Sequence, residues 1–210
     1  VLDSPAGSMV IKSPLLGRYN VMNLLASVAI LHSMGRAIPD SIRKIAAFEG
    51  VDGRMESVDK GQDYNVIVDY AHTPDALRNA LSMLRECTEG KVHLVFGCGG
   101  DRDKGKRLEM TKVACAGADQ VWATADNPRT EPLDDIFKDM KKGQTRGSRI
   151  SFVEDRRRAI SLALDQAKSG DCVLIAGKGH ESFQEVQYTA IPFDDREVVR
   201  ELINIKALVQ

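Results

Sequence analysis

The spacing of apolar residues along the chain changes near residue 50. Before that point, residues 1–18 are polar and contain two prolines, which predicts irregular structure and no sheet. Apolar residues then recur at helical spacing and predict two helices, at 20–32 and 39–48. Gly50-Val51-Asp52-Gly53 breaks the pattern. We therefore predict a domain boundary there, between residues 1–50 and residues 51–210.

Beyond residue 51, short apolar runs alternate with amphipathic stretches. The runs predict five strands, at 66–68, 92–96, 120–123, 150–153 and 172–176. The amphipathic stretches predict helices at 74–84, 107–117, 133–142 and 155–168, and a closing helix at 194–207 capped by Asp194. A small hairpin is expected from 186–188 and 190–192. Because apolar strands alternate with helices, we predict a doubly wound α/β domain with a mostly parallel sheet.

Composition and charge exclude several functional classes. The chain has 29 Lys and Arg against 30 Asp and Glu, without a polybasic run, so we expect neither nucleic-acid nor membrane binding. The four cysteines are scattered without metal-ligand spacing and indicate reduced thiols in a cytoplasmic protein. The first residue is not methionine and no signal peptide follows it. We expect the middle of a longer protein or a trimmed form of one.

The loop Asp126-Asn127-Pro128-Arg129 follows the strand predicted at 120–123. Pro128 restricts its own φ and favours an extended Asn127, so this loop should be stiff. Arg129 offers a planar fork of donors that suits a carboxylate. The alternative is a proline turn with a solvated arginine.

A second polar stretch, Asp69 to Asp75, leaves one strand and enters a helix. Asp69 can accept hydrogen bonds from a ribose, and His72 lies where a helix N-terminus offers free N–H groups to an anion. Thr73 also suits the N-cap position ahead of Pro74, and capping is compatible with binding.

A third stretch follows the strand at 92–96, where glycines let the backbone approach a ligand closely. Its likeness to the G-x-G-x-x-G fingerprint is weak, because Arg102 occupies the place of the last glycine. Four cations in this stretch either contact phosphate or carboxylate groups or form a solvated run: Arg102, Lys104, Lys106 and Arg107.

A fourth stretch, Ala176 to Glu181, leaves the last strong strand with small residues. Gly177 allows close approach, and Glu181 would place a carboxylate near a bound amine. In a parallel sheet all four stretches emerge at the same edge. Together they suit a zwitterionic amino acid beside a nucleotide.

Six motifs, in order from about residue 15 to the C-terminus, resemble those of the MurE group of the Mur ligase family. They are Gly17-Arg18-Tyr19-Asn20-Val21-Met22-Asn23, Gly53-Arg54-Met55-Glu56, Asp69-Tyr70-Ala71-His72-Thr73-Pro74, Gly97-Cys98-Gly99-Gly100-Asp101-Arg102-Asp103, Asp126-Asn127-Pro128-Arg129 and Gly177-Lys178-Gly179-His180-Glu181. Six motifs at compatible spacing make the resemblance specific to this group.

The resemblance implies a Rossmann-like Mur ligase C-terminal domain at 51–210, preceded by a helical remnant of the central ATP-binding domain at 1–50. It also implies an ATP-dependent and Mg²⁺-dependent ligase of peptidoglycan precursor synthesis. In this family, ATP converts the glutamate carboxylate of UDP-MurNAc-L-Ala-D-Glu into an acyl phosphate, which the amine of meso-diaminopimelate attacks. We expect a cytoplasmic enzyme that is monomeric at full length.

The same resemblance assigns ligand-binding roles. Residues implied to bind meso-diaminopimelate are Arg102, Asp126, Asn127, Pro128, Arg129, Gly177 and Glu181. Residues implied to bind ATP are Asn23, Arg54, Asp69 and His72. Lysine-adding relatives lack the arginine of the Asp-Asn-Pro-Arg motif, which makes Arg129 the expected discriminator. No residue is assigned as a general base.

The chain departs from the family pattern in one respect. It has no G-x-x-x-x-G-K-[ST] phosphate loop, and the magnesium ligands and the modified lysine should lie upstream. We therefore expect the fragment to be inactive alone. The alternatives are a non-catalytic MurE-like scaffold, a nucleotide-binding sensor, or another ligase such as MurF or folylpolyglutamate synthase. Those other ligases should lack Arg129 in this motif.

Overall fold

A computed structural model describes residues 1–13, 15 and 17–209, which form two units, Val1–Val51 and Asp52–Gln210. Pro14 and Leu16, in the stretch predicted to be irregular, lie outside the described residues, as does Gln210. The elements of the first unit are β1 (Leu2–Ser4), β2 (Gly7–Met9), α1 (Arg18–Ser33) and α2 (Ile38–Ala46).

The first unit contains a hairpin that the sequence analysis missed. Strands β1 and β2 pair antiparallel, so the prediction of no sheet here was wrong. The hairpin closes locally, because the Ser4 hydroxyl accepts from Ala6 N–H and donates to the Gly7 carbonyl. The predicted helices are present. Their buried residues form a small core of Val28, Ile38, Ile42 and Ile45.

The second unit is built on a six-stranded sheet. Its strands are β3 (Glu56–Ser57), β4 (Asn65–Asp69), β5 (Val92–Cys98), β6 (Gln120–Ala125), β7 (Ile150–Phe152) and β8 (Cys172–Ala176). The remaining elements are α3 (Pro74–Cys87), α4 (Gly105–Gly117), α5 (Leu133–Lys141), α6 (Arg156–Gln166), the hairpin β9 (Phe183–Val186) and β10 (Thr189–Pro192), and α7 (Asp195–Val209).

The strand order in this sheet is β3-β4-β8-β5-β6-β7. Only β3 runs antiparallel to its neighbour, so the predicted mostly parallel sheet is confirmed. The last strand of this sheet in chain order, β8, lies between β4 and β5. This insertion brings the loop after β8 between the loops that follow β4 and β5.

Helices cover both faces of the sheet, as the apolar strands predicted. Alternate residues of a strand point to opposite faces, so in β5 Leu94 and Phe96 pack on one side and Val95 on the other. Helices α3, α4 and α5 bury their apolar residues on the first side, and α6 and α7 on the second. The structure is therefore doubly wound.

Two details of the second unit differ from the prediction. Strand β3 was missed, because two residues give no periodic signal. The turn of the second hairpin falls at Gln187 and Tyr188, not between 188 and 190. Both residues have positive φ, 46° and 63°, as in a type I′ turn, but neither is the Asn or Gly that usually marks one.

Three helix caps form as their sequences suggest. The Thr73 hydroxyl accepts from Ala76 N–H at 3.3 Å ahead of Pro74, as predicted. Asp155 caps α6 in the same way. The predicted cap Asp194 accepts from the backbone N–H of Arg196 at 2.9 Å.

A fully buried ion pair joins α6 and α7 beneath the carboxyl edge of the sheet. Arg156 donates to both carboxylate oxygens of Asp195, at 2.8 and 2.7 Å. It also donates to the carbonyls of Ala125 and Ala176, the last residues of β6 and β8. Burial opposes the charge of Arg156, but the pair with Asp195 outweighs it, and the pKa of Arg156 is raised. One guanidinium thus connects two strand ends to two helices.

We predict that Arg156→Leu destabilises the second unit by about 3–5 kcal/mol, because it leaves the Asp195 carboxylate buried and unpaired. Urea unfolding followed by the fluorescence of the single tryptophan, Trp122 in β6, measures this unit directly. The adjacent pair Arg157–Glu201 is exposed and serves as the matched control. Arg157→Ala should cost less than about 1 kcal/mol. Equal losses in both variants would contradict the prediction.

Candidate functional site

A cleft of about 280 Å³ opens at the carboxyl edge of the sheet, where the loops after β4, β5, β6 and β8 meet. Ligands of open α/β sheets bind at this edge. The cleft is lined by Tyr70, His72, Gly99, Arg102, Lys106, Asp126, Asn127, Arg129, Gly177 and Glu181.

Six of the seven residues expected to bind an amino acid line this cleft. The seventh, Pro128, supports it, since its carbonyl lies where a Cβ on Gly100 would be, only 1.9 Å away. Position 100 therefore has to be glycine if this loop pairing is to form. Tyr70 was not assigned a role from the sequence, because a tyrosine in isolation does not signal binding.

The backbone of Arg129 lies in the left-handed region, with φ of 53°. Its N–H donates to the Glu185 carbonyl at 2.9 Å, and its carbonyl accepts from Gln187 N–H at 2.8 Å. The backbone at the end of β9 thus pairs with this loop. This conformation costs energy in a residue other than glycine and persists because the pairing holds it.

The guanidinium of Arg129 is largely engaged. Nη1 donates to the Gly100 carbonyl at 2.9 Å, and Nε pairs with the Glu185 carboxylate at 2.9 Å. Among the residues that the structure describes, none accepts from Nη2. The exposed side chain of Arg102 likewise has no hydrogen-bond or ion-pair partner among the described residues. Both cations therefore have donors open to a ligand carboxylate.

The acidic side of the cleft is organised by a fully buried lysine, Lys178. Its ammonium donates to Asn127 Oδ1 at 3.0 Å and to Glu181 Oε2 at 3.1 Å, and lies 4.0 Å from Asp126 Oδ1. Gly177 has φ of 118°, and a Cβ there would lie 2.7 Å from Asp126 Oδ2. Asp126 therefore packs directly against the glycine.

Asp69, expected to accept from a ribose, uses both carboxylate oxygens within the protein. Oδ2 accepts from Met55 N–H at 2.8 Å and Oδ1 from Ala71 N–H at 2.9 Å. Burial raises the pKa of Asp69, although these backbone donors favour its charged form. The carboxylate holds together the loops before β3 and after β4.

Arg54 and His72, expected near a nucleotide, both contact Tyr70. The Arg54 guanidinium is 4.7 Å from the centre of the Tyr70 ring. His72 Nδ1 donates to the Tyr70 carbonyl at 2.8 Å, and Lys106 Nζ donates to the His72 carbonyl at 3.3 Å. Asn23 belongs to the first unit, where its amide donates to Asn20 Oδ1.

The four cations after β5 separate into two pairs. Arg102 and Lys106 line the cleft. Arg107 is fully buried, so the prediction of a ligand-facing or solvated cation was wrong for this residue. Its guanidinium donates to both carboxylate oxygens of Glu131, at 2.8 and 2.6 Å. Lys104 forms an ion pair with the same carboxylate at 3.1 Å. The hydrogen bonds from Arg107 lower the pKa of Glu131 to about 2.

The described residues contain neither a metal-binding cluster nor a membrane-spanning helix. They contain no group of three or more His, Cys, Asp or Glu side chains arranged to hold a metal ion. None of the helices described is long and apolar enough to cross a membrane.

The fold and the site define a class of protein. The family model "Mur ligase, glutamate ligase domain" matches residues 53–179, which is more than half of the chain. The chain belongs to the Mur ligase family. The predicted family membership and the C-terminal position of the match are confirmed.

Two of the chain's relatives belong to one group within this family. UDP-N-acetylmuramoyl-L-alanyl-D-glutamate–2,6-diaminopimelate ligases of Parasynechococcus marenigrum (strain WH8102) and Bacillus licheniformis are 48% and 46% identical to the chain. The matches cover 93% and 96% of this chain but 40% and 41% of those proteins. The chain thus spans about 40% of the length of the curated relatives it matches.

Solved structures agree with this assignment. A diaminopimelate ligase structure superposes with a TM-score of 0.76 at 43% identity, over 98% of this chain and 42% of that one. MurC of Thermotoga maritima gives a TM-score of 0.68 at 22% identity, over 97% of this chain and 41% of that one. The second match, at its low identity, shows a common fold only.

The Arg107–Glu131 pair predicts a pH dependence of stability. Because the pKa of Glu131 is about 2 when folded and about 4.5 when unfolded, the pair stabilises the fold above pH 4.5. This contribution is lost as the pH falls towards 2. Between pH 5 and pH 2, the stability difference between the unmodified chain and Glu131→Gln should shrink by about 2–3 kcal/mol. Trp122-monitored unfolding measures it.

Glu109→Gln is the control for this experiment. Glu109 is half-exposed and pairs with Lys112 within α4, so its substitution should leave the pH profile close to that of the unmodified chain. A Glu131→Gln profile parallel to that of the unmodified chain would contradict the prediction.

Proposed function

We propose that this chain is the amino-acid-binding, C-terminal part of an ATP-dependent ligase that adds meso-diaminopimelate to UDP-N-acetylmuramoyl-L-alanyl-D-glutamate. The observation that carries the proposal is the charge arrangement of the cleft. Arg102, Lys106 and Arg129 line the same space of about 280 Å³ as Asp126 and Glu181. A ligand with both ammonium and carboxylate groups complements such a site, and the names of the relatives supply its identity.

In this proposal the open cations take carboxylates and the acids take an ammonium. Arg102 and Nη2 of Arg129 bind carboxylate groups, and Glu181, beside Asp126, binds an ammonium. Asn127, Pro128 and Gly177 shape the pocket around them. Diaminopimelate carries a carboxylate that lysine lacks, so lysine would leave a cation without its partner. A site built around such a pair rejects the analogue that lacks the group.

The nucleotide is proposed to lie beside this cleft. The N-terminus of α3, with Thr73 as its cap, offers N–H groups to a phosphate, and Lys106 and His72 lie next to it. Arg54 on the Tyr70 ring is the contact we assign to the ribose side, and Asp69 holds both loops in place. ATP would supply the phosphoryl group that activates the acceptor carboxylate. We assign magnesium binding to the rest of the longer protein.

The first unit is proposed to be the C-terminal end of the central ATP-binding domain, with Asn23 as an adenine contact. Helix α1 supports this, because it covers its own small core with one side and leaves apolar residues exposed. Those residues are Val21, Met22 and Ile30, each more than half exposed. Apolar surface of this kind is expected where a neighbouring part of a domain packs.

The contribution of this chain to the reaction would be positioning. It holds the amino acid so that its amine meets the activated carboxylate, which converts an encounter of two molecules into a reaction within one complex. No side chain of the cleft is assigned as a general base. We therefore expect the chain alone to bind the amino acid and not to ligate it.

The proposal is tested by calorimetric titration of this chain with meso-diaminopimelate and with L-lysine. We expect saturable binding of diaminopimelate, and a loss of about tenfold or more in affinity for L-lysine and for Arg129→Ala. Arg157→Ala, an exposed arginine on α6, is the matched control and should bind as the unmodified chain does.

Two results would count against the proposal. Equal binding of lysine and diaminopimelate would remove the assigned specificity. Absence of binding would be followed by ATP-dependent ligation assays of the longer protein that contains this chain. Failure of that protein to ligate diaminopimelate would leave a non-catalytic scaffold as the better account.

A further inference from the structure

The side chain of Lys178 is fully buried, and the reasoning from sequence gave it no part in the site. A buried ammonium is costly unless it is paired and hydrogen-bonded. All the polar partners of Lys178 belong to the amine side of the cleft, namely Asn127 and Glu181 at hydrogen-bond distance and Asp126 at 4.0 Å. The groups that offset the cost of burying this ammonium are therefore groups of the site itself.

Lys178 and the Glu185 N–H together determine the orientation of the Asn127 amide. Asn127 Oδ1 accepts from Lys178 Nζ at 3.0 Å and from Glu185 N–H at 3.0 Å. Nδ2 is then the atom that reaches Glu181 Oε2, at 2.9 Å. The reversed amide would place an NH₂ group against two donors and an oxygen against a carboxylate. Only one orientation satisfies every group.

The same network distinguishes the two oxygens of Glu181. Both donors, Lys178 Nζ and Asn127 Nδ2, reach Oε2. Within the described part of the chain, no donor reaches Oε1. Since Glu181 lines the cleft and its side chain is about a quarter exposed, Oε1 is the oxygen left to a ligand.

Lys178 also sets the charge of this side of the cleft. Asp126 and Glu181 together carry two negative charges, and the buried ammonium neutralises one of them. The remaining single charge matches one ligand ammonium. Without Lys178, neither carboxylate would have an ion-pair partner among the described residues, and their repulsion would favour a different arrangement.

We infer that Lys178 is the positioning residue of the amine site: it fixes the Asn127 amide and one oxygen of Glu181, so that the other oxygen receives the ligand ammonium. The inference rests on the proposed function, because the ammonium is that of the amino-acid substrate. Lys178 itself would not touch the ligand.

The first test uses no ligand. In ¹⁵N-labelled chain, Lys178→Met should shift the side-chain amide resonances of Asn127 and speed their hydrogen exchange by about tenfold, as expected when a buried hydrogen-bond network is opened. Lys168→Met, the same change at an exposed lysine, should leave these resonances in place. Unchanged Asn127 resonances in a folded Lys178→Met chain would overturn the inference.

A second measurement covers the case in which Lys178→Met does not fold. In the unmodified chain, the Lys178 ammonium should give a slowly exchanging ¹⁵N resonance, because it is buried and hydrogen-bonded. Glu181→Gln should shift this resonance. A Lys178 ammonium that exchanges as fast as that of Lys168 would equally overturn the inference.

The third measurement links the network to binding through a double-mutant cycle. Lys178→Met should weaken meso-diaminopimelate binding by about tenfold, and by less than about threefold when Glu181 is already glutamine, because Lys178 acts through Glu181. Additive losses would overturn the positioning role. If the unmodified chain binds no diaminopimelate, the proposed function fails for the isolated chain, while the Asn127 and Lys178 resonances still decide the inference.

Discussion

The arrangement of the cleft depends on the buried pair between Arg156 and Asp195. The guanidinium donates to Ala125 and Ala176, and the loops that carry the acidic residues of the cleft begin at the next residues, Asp126 and Gly177. Strand β5 lies between these two strand ends, so the arginine spans it on one face of the sheet. Because both partners are excluded from water, breaking the pair would leave a buried charge without a partner. The two loops therefore keep their separation.

Ion pairs also orient the charged groups of the cleft. Arg129 pairs with Glu185, and Lys178 pairs with Glu181. Each pair leaves selected atoms open, such as Nη2 of Arg129 and Oε1 of Glu181. Fixed dipoles and charges of this kind are already oriented before a ligand arrives, so little reorganisation is needed on binding. The proposed amino-acid specificity follows from which atoms remain open.

Much of the fold and part of the site could be predicted from residue patterns. Apolar strands separated by helices indicate a parallel sheet covered on both faces, and polar loops after strands meet at its carboxyl edge. Arg102, Asn127 and Glu181 could be placed in one cleft on that basis. Arg107 could not be separated from its neighbours, because a charge run has the same appearance whether a member is solvated or forked onto a buried carboxylate such as Glu131.

The sequence by itself determined the doubly wound class and the family, since both depend on local periodicity and on short motifs. Tertiary structure alone decided that β8 lies between β4 and β5, and that Lys178 is buried against Asn127. It also decided the pairing of Arg129 with Glu185 and of Arg156 with Asp195. These contacts join residues about 40 to 56 positions apart in the chain. No local pattern specifies them, because the partners come together only when the whole sheet and its loops are assembled.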